Sequence, residues 1–126
     1  MTDTFLLNDF YTVTSVEKLT ENKLLINIQL DPAHAIFKGH FEQMPVVPGV
    51  CQTQMIKELL QEETGKNLTL TNGNNIKFTA MIIPTTHSNM QVELNYTIAE
   101  NQYTVDAKLF FENIIFTKFK GTFTIN

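Results

Sequence analysis

The chain reads as an α+β domain in which an antiparallel sheet wraps one long helix, and three observations predict this. From Gly49 to about Thr64 the apolar residues recur at helical spacing, opened by Pro48-Gly49 and closed by Gly65. On either side they alternate with polar residues instead, which is the period of a half-buried strand. Two such stretches precede the helix and several follow it, so sheet and helix are segregated rather than interleaved.

Taken in order, Met1 to Asn8 is a short lead-in whose Phe5, Leu6 and Leu7 can pack on the domain. Phe10 to Lys18 and Lys23 to Leu30 are predicted strands joined by a turn near Thr20-Glu21-Asn22. In the second, Leu24, Ile26, Ile28 and Leu30 alternate with Asn27 and Gln29, and Asp31-Pro32 then breaks the strand. On the helix, Cys51, Met55, Ile56, Leu59 and Leu60 share an apolar side, while Gln54, Lys57, Glu58 and Gln61 gather on another. Asn72-Gly73-Asn74 is read as a turn between short strands at Leu68 to Thr71 and Ile76 to Met81. The rest is strand: Met90 to Ile98, Tyr103 to Phe111 after the Glu100-Asn101 turn, and Ile115 to Ile125 with Phe119 and Phe123 on one face. No internal repeat, linker or low-complexity stretch interrupts the pattern.

Composition narrows the function classes. A chain of 126 residues is expected to form one domain, burying about two-thirds of its unfolded surface. A net charge of −4 without a basic stripe argues against nucleic acid. For the same reason an acidic partner would need a local docking patch. The single cysteine, Cys51, excludes an internal disulfide and fits a reducing compartment. No apolar run has membrane-spanning length and no leader-like N-terminus is present, so cytoplasm is the default expectation.

The chemistry concentrates between Phe37 and Lys57. Gly39-His40-Phe41 leads through Pro45 and Pro48 into the helix. Pro48 has no N–H to lose at a helix opening, and Gly49 has no Cβ to hold a ligand atom away from its own N–H. First-turn N–H groups lie at the positive end of the helix dipole and suit a polarised carbonyl oxygen. His40 can exchange a proton near neutrality. A base beside an oxyanion donor is a plausible acyl-thioester site.

The run Gly39, His40, Phe41, Pro45, Val46, Pro48, Gly49, Val50 resembles the signature of the 3-hydroxyacyl-acyl-carrier-protein dehydratases, with an echo at Ile76-Lys77-Phe78 and Pro84. The resemblance implies a hotdog fold, with the sheet around one central helix and sites at a dimer boundary. It also implies conversion of a 3-hydroxyacyl thioester to the trans-2-enoyl thioester. The substrate would ride on the phosphopantetheine arm of acyl carrier protein, with no dissociable cofactor. General similarity further suggests the divergent dehydratases of aryl-polyene and pigment pathways.

Within that resemblance His40 is the base and Gly49 the oxyanion donor, beside the plainer roles of loop histidine and conformational glycine. The family places its acid 14 residues after the histidine; here that position is Gln54, and an amide has no proton of useful acidity. The family's glutamine one turn later is here Glu58, so the residue types are exchanged between helix neighbours. Glu58 is either a displaced acid or, more plainly, an exposed carboxylate beside Lys57. Glu42-Gln43 replaces the family's Pro-Gly and puts a second carboxylate near His40. Pro48 belongs to the substrate loop, and Phe37, Phe41 and Val50 are core or acyl-tunnel wall. Cys51 falls on the apolar side, where a thiol is usually a small hydrophobe. His34 and His87 are isolated, and no metal-ligand spacing is present. The competing readings are a half-site or non-catalytic subunit of a hotdog heterodimer, a thioesterase, and an acyl-binding module.

Overall fold

The computed structural model describes residues 4–38 and 45–126. Gly39, His40, Phe41, Glu42 and Gln43 lie outside the described residues, and with them the sequence-derived base and its neighbouring carboxylate.

Strands β1 (Tyr11–Thr20) and β2 (Lys23–Leu30) precede a short 3-10 turn (Ala35–Phe37) and helix α1 (Gly49–Thr64). Strands β3 (Leu68–Phe78), β4 (Asn89–Ala99), β5 (Gln102–Phe111) and β6 (Ile114–Ile125) follow. The six strands form one antiparallel sheet in the order β1-β2-β4-β5-β6-β3. This is the predicted α+β, hotdog arrangement.

Alternation decides which face is covered. Leu24, Ile26, Ile28 and Leu30 of β2, Met90, Val92 and Leu94 of β4, and Tyr103, Val105, Ala107 and Leu109 of β5 are buried. Together with Phe116, Phe119 and Phe123 of β6 they join Cys51, Met55, Ile56, Leu59 and Leu60 of α1 in one apolar cluster. The helix has the predicted limits. Pro48 caps its start in an extended conformation, and Gly65 ends it at φ 71, donating its N–H to Gln61 O. The N-terminal lead-in packs in part: Leu6 and Leu7 lie against the core, whereas Phe5 is exposed.

One predicted turn is absent. Asn72-Gly73-Asn74 lies inside the continuous strand β3, which pairs with β6 on both sides of it through register shifts at Leu70/Asn72 and Asn72/Asn75. An Asn-Gly hairpin turn needs positive φ at its central residues, and neither Asn72 nor Gly73 adopts it. The bulged backbone instead passes close over Gly121, where a Cβ would stand 2.7 Å from Asn72 O. The strand also stops at Phe78 rather than Met81, because the Thr79 and Ala80 N–H groups turn onto Phe116 O. Among the described residues, no helix is long and apolar enough to cross a membrane.

Candidate active site

The start of α1 is held from three directions. Val47 N donates to Ile82 O at 2.9 Å, joining the loop before the helix to the segment after β3. The Gln52 side chain donates Nε2 to Val47 O and accepts the Thr117 hydroxyl at Oε1, tying the first helical turn to β6. The Phe78 ring lies so close over Gly49 that a Cβ there would stand 2.8 Å from it. Cys51 N and Gln52 N turn onto Pro48 O. Among the described residues, the Gly49 and Val50 N–H groups have no backbone partner, as expected of first-turn donors at the positive pole of a helix.

Two of the residues assigned to the polar side of α1, Glu58 and Gln61, prove buried, while Gln54 and Lys57 are half-buried. Gln52 is nearly inaccessible as well, and Glu58 is 0% exposed. The plainer expectation for Glu58, an exposed carboxylate beside Lys57, is therefore overturned. Its Oε2 accepts Phe5 N at 2.7 Å, Leu6 N at 3.0 Å and Gln54 Nε2 at 2.8 Å. Oε1 accepts Leu7 N at 2.8 Å and the Tyr11 hydroxyl at 3.1 Å. The lead-in is hooked over the carboxylate by a turn in which Asp9, Phe10 and Tyr11 N–H groups converge on Leu6 O. Burial first, and the Glu58 charge next, push the Tyr11 hydroxyl far above the ordinary tyrosine range, so it serves as a neutral donor.

For Val50 the core alternative is overturned, because it is 78% exposed in the single chain. Phe37, by contrast, is buried as expected. Pro48 is half-buried at the helix cap. A cavity of about 360 Å³ is lined by Pro32, Ala33, His34, Phe37, Lys38 and Pro45.

The remaining chemistry-bearing residues are structural. His34 accepts Ile36 N at Nδ1, capping the 3-10 turn, and pairs Nε2 with Asp9 at 2.9 Å. His87 accepts Ile83 N at Nδ1 and rests on Phe116. Cys51 is buried, and burial raises its thiol pKa, as suits a small hydrophobe. No group of metal-ligating side chains occurs among the described residues. Sequence reasoning passed over Gln52, Thr117 and Tyr11. Gln52 precedes Met55 and Ile56 by three and four residues, so its place on the apolar stripe was there to be read.

The family model for the ApeI dehydratase matches residues 16–113 of the chain. The chain belongs to the ApeI-like dehydratase family. That membership agrees with the dehydratase resemblance carried by the Gly39–Val50 motif and with the kinship to aryl-polyene-type dehydratases suggested by general similarity. Among solved structures, the dehydratase heterocomplex ApeI:P from Xenorhabdus doucetiae superposes with a TM-score of 0.71 at 19% identity, covering 89% of this chain and 96% of that one. An uncharacterized protein from Erwinia carotovora gives 0.63 at 22% identity, covering 91% and 92%. A mutant thioesterase from Pseudomonas aeruginosa gives 0.58 at 10% identity, covering 90% and 80%. At these identities the likeness is one of fold. A comparison with curated protein sequences gives no match.

Proposed function

We propose that this ApeI-like dehydratase removes water from a 3-hydroxyacyl thioester carried on acyl carrier protein, yielding the trans-2-enoyl thioester in fatty-acid or polyene-type lipid synthesis. The observation that carries the reading is the run Gly39-His40-Phe41 to Pro48-Gly49 entering a helix whose first N–H donors have no backbone partner among the described residues. The thioester oxygen sits on Gly49 N–H, which stabilises the negative charge that grows there as His40 takes the C2 proton. Pro48 sets the loop, while Phe41 and Val50 line the acyl chain. Gln54 holds the 3-hydroxyl, and no dissociable cofactor takes part. The assembly is a hotdog dimer, and its compartment the cytoplasm.

A row of lysines on the outer sheet face supports an acidic carrier as partner. Lys77 stands opposite Lys118, and Lys118 opposite Lys108, in direct register. Facing like charges oppose strand pairing; Glu93 bridges Lys108 at 3.5 Å and Lys23 at 3.3 Å, and Asp106 stands opposite Lys120, which leaves four lysines against two carboxylates around one hollow. Lys120 borders the same hollow, so an acidic chain carries a locally basic face.

A second reading, a half-site subunit of a hotdog heterodimer, is favoured by Gln54 at the acid position and by the hydrogen bonds already filling Glu58. The superposing ApeI:P structure is itself a heterocomplex. Mass spectrometry of a 3-hydroxyacyl-carrier substrate tests both. Water loss by the pure protein, abolished in His40→Ala, supports the self-sufficient dehydratase. Conversion only after a second hotdog chain is added supports the half-site. Free acid as product refutes dehydration in favour of thioester hydrolysis.

A further inference from the structure

We infer that the outer face of β5, β6 and β3 is the surface on which the carrier docks, and that the part it receives is a helix bearing acidic residues one turn apart. The inference rests on the dehydratase reading for the partner's identity, and goes further by placing the contact and giving the partner's shape.

One cross-strand row defines the surface. Register sets Leu25, Glu93, Lys108, Lys118 and Lys77 side by side on β2, β4, β5, β6 and β3. Their strand neighbours Ala107 and Phe119 are buried in the core, so the row itself faces solvent. Glu93 meets Lys108 and Lys23, but among the described residues no carboxylate bridges Lys118 or Lys77. The hollow of about 430 Å³ beside them has four of the chain's nine basic side chains around it and two of its thirteen acidic ones. In a chain of net charge −4 this excess belongs to the face alone. Three lysines in direct opposition weaken strand pairing, and an anionic partner lying over them offsets that cost.

Spacing selects the partner's shape. Adjacent strands lie about 4.8 Å apart, so the three lysine stems span about 10 Å. Carboxylates at i, i+3 or i+4, and i+7 of an α-helix recur about every 5.4 Å and span about 10–11 Å. An extended strand repeats on one face only about every 6.7 Å and is out of register by the third lysine. Beside the row, Phe110 and Ile115 stand opposite each other, half-buried, with Lys108 Nζ 4.7 Å over the Phe110 ring. They offer an apolar strip to the edge of such a helix, which a phosphate backbone does not match. The row also ends beside the candidate site. Lys77 directly precedes Phe78, whose ring lies on Gly49 at the opening of α1. A carrier seated on the row sends its arm round the end of β3 to the start of the helix.

The test is isothermal titration of the full chain with purified apo acyl carrier protein, with turnover measured separately. Wild type, Lys118→Glu, Lys118→Gln and Lys66→Glu are compared; Lys66 is exposed but outside the row. Lys118→Glu is expected to weaken binding at least tenfold and Lys118→Gln about threefold, with Lys66→Glu within twofold. Because Lys118→Glu relieves facing like charges, it should melt no lower than wild type, which separates lost docking from lost folding. Wild-type affinity should fall as salt rises. Unchanged binding in Lys118→Glu, equal loss in Lys66→Glu, or no wild-type binding would each overturn the inference. Tighter binding of a short DNA duplex than of the carrier would overturn it too. In turnover, with the hotdog partner added where one is required, Lys118→Glu should lose at least tenfold in kcat/KM on a carrier-borne 3-hydroxyacyl substrate. A small-molecule thioester of the same acyl chain should be converted within twofold of wild type. Carrier binding without any water loss would sink the dehydratase reading and leave the docking surface standing. Water loss from the carrier-borne substrate undiminished in Lys118→Glu would do the reverse.

Discussion

The buried bond between Gln52 and Thr117 gives the sharpest quantitative test, because it joins the helix carrying the site to strand β6. Thr117→Val keeps the side-chain shape and removes the hydroxyl. Gln52 is 3% exposed and Thr117 1%, so water cannot replace the lost donor. A buried acceptor left unpaired costs about 1–3 kcal/mol. For a chain of this length, a loss near 2 kcal/mol lowers the melting temperature by about 6–10 °C. Gln52→Met removes the other partner and also frees Val47 O, which Gln52 Nε2 now occupies, so it should cost at least as much. In the double variant neither partner is left facing an empty site; only Val47 O still lacks its donor. The double loss should therefore fall short of the sum of the single losses by about 1–2 kcal/mol. Urea unfolding of the four proteins measures this coupling. Additivity within about 0.5 kcal/mol would refute the claim that these groups satisfy one another.

Three further outcomes follow from the geometry. Gly121→Ala is expected to destabilise by about 1–3 kcal/mol, because its Cβ would meet Asn72 O at 2.7 Å and the Phe119 ring at 2.8 Å; an unchanged urea midpoint would contradict that packing. Tyr96, held against Glu63, has its hydroxyl pKa raised from 10.0 to about 12, chiefly by burial and then by the Glu63 bond and charge. The folded state then holds that proton more tightly than the unfolded one, so its stability is intact below pH 10 and falls as pH rises towards about 12. Tyr96→Phe should remove that part of the alkaline loss in melts taken across the window. Cys51, buried with its pKa raised, should react with iodoacetamide at least about tenfold more slowly in the native protein than in urea; equal rates would show the thiol exposed.

Much of the fold was legible because its signals are local. Gly49 to Thr64 is bounded by residues whose backbone chemistry starts and stops helices, and those bounds hold. Strands β2, β4 and β5 declare themselves by alternation, since one face of each must leave water. Asn72-Gly73-Asn74 misled because turn propensity is a local preference, and a long partner strand with a glycine beneath it outweighed that preference. The Gly39–Val50 motif announced the family, as a run of residues specified by one loop can.

Taken alone, then, the sequence determined the α+β class, the helix with its caps, the buried strand faces and the kinship to the hotdog dehydratases. Each of these depends on residues adjacent along the chain or repeating at a fixed period. The tertiary structure alone decided the fate of the polar helix residues. Helical projection separates Glu58 from the apolar stripe but carries no information about which remote segment will cover it. Residues 5–7, more than 50 positions away, fold back and offer three N–H groups, turning a carboxylate expected in solvent into the most fully bonded side chain described in the site. Such a contact is set by the path of the chain through space, and no spacing in the sequence encodes it.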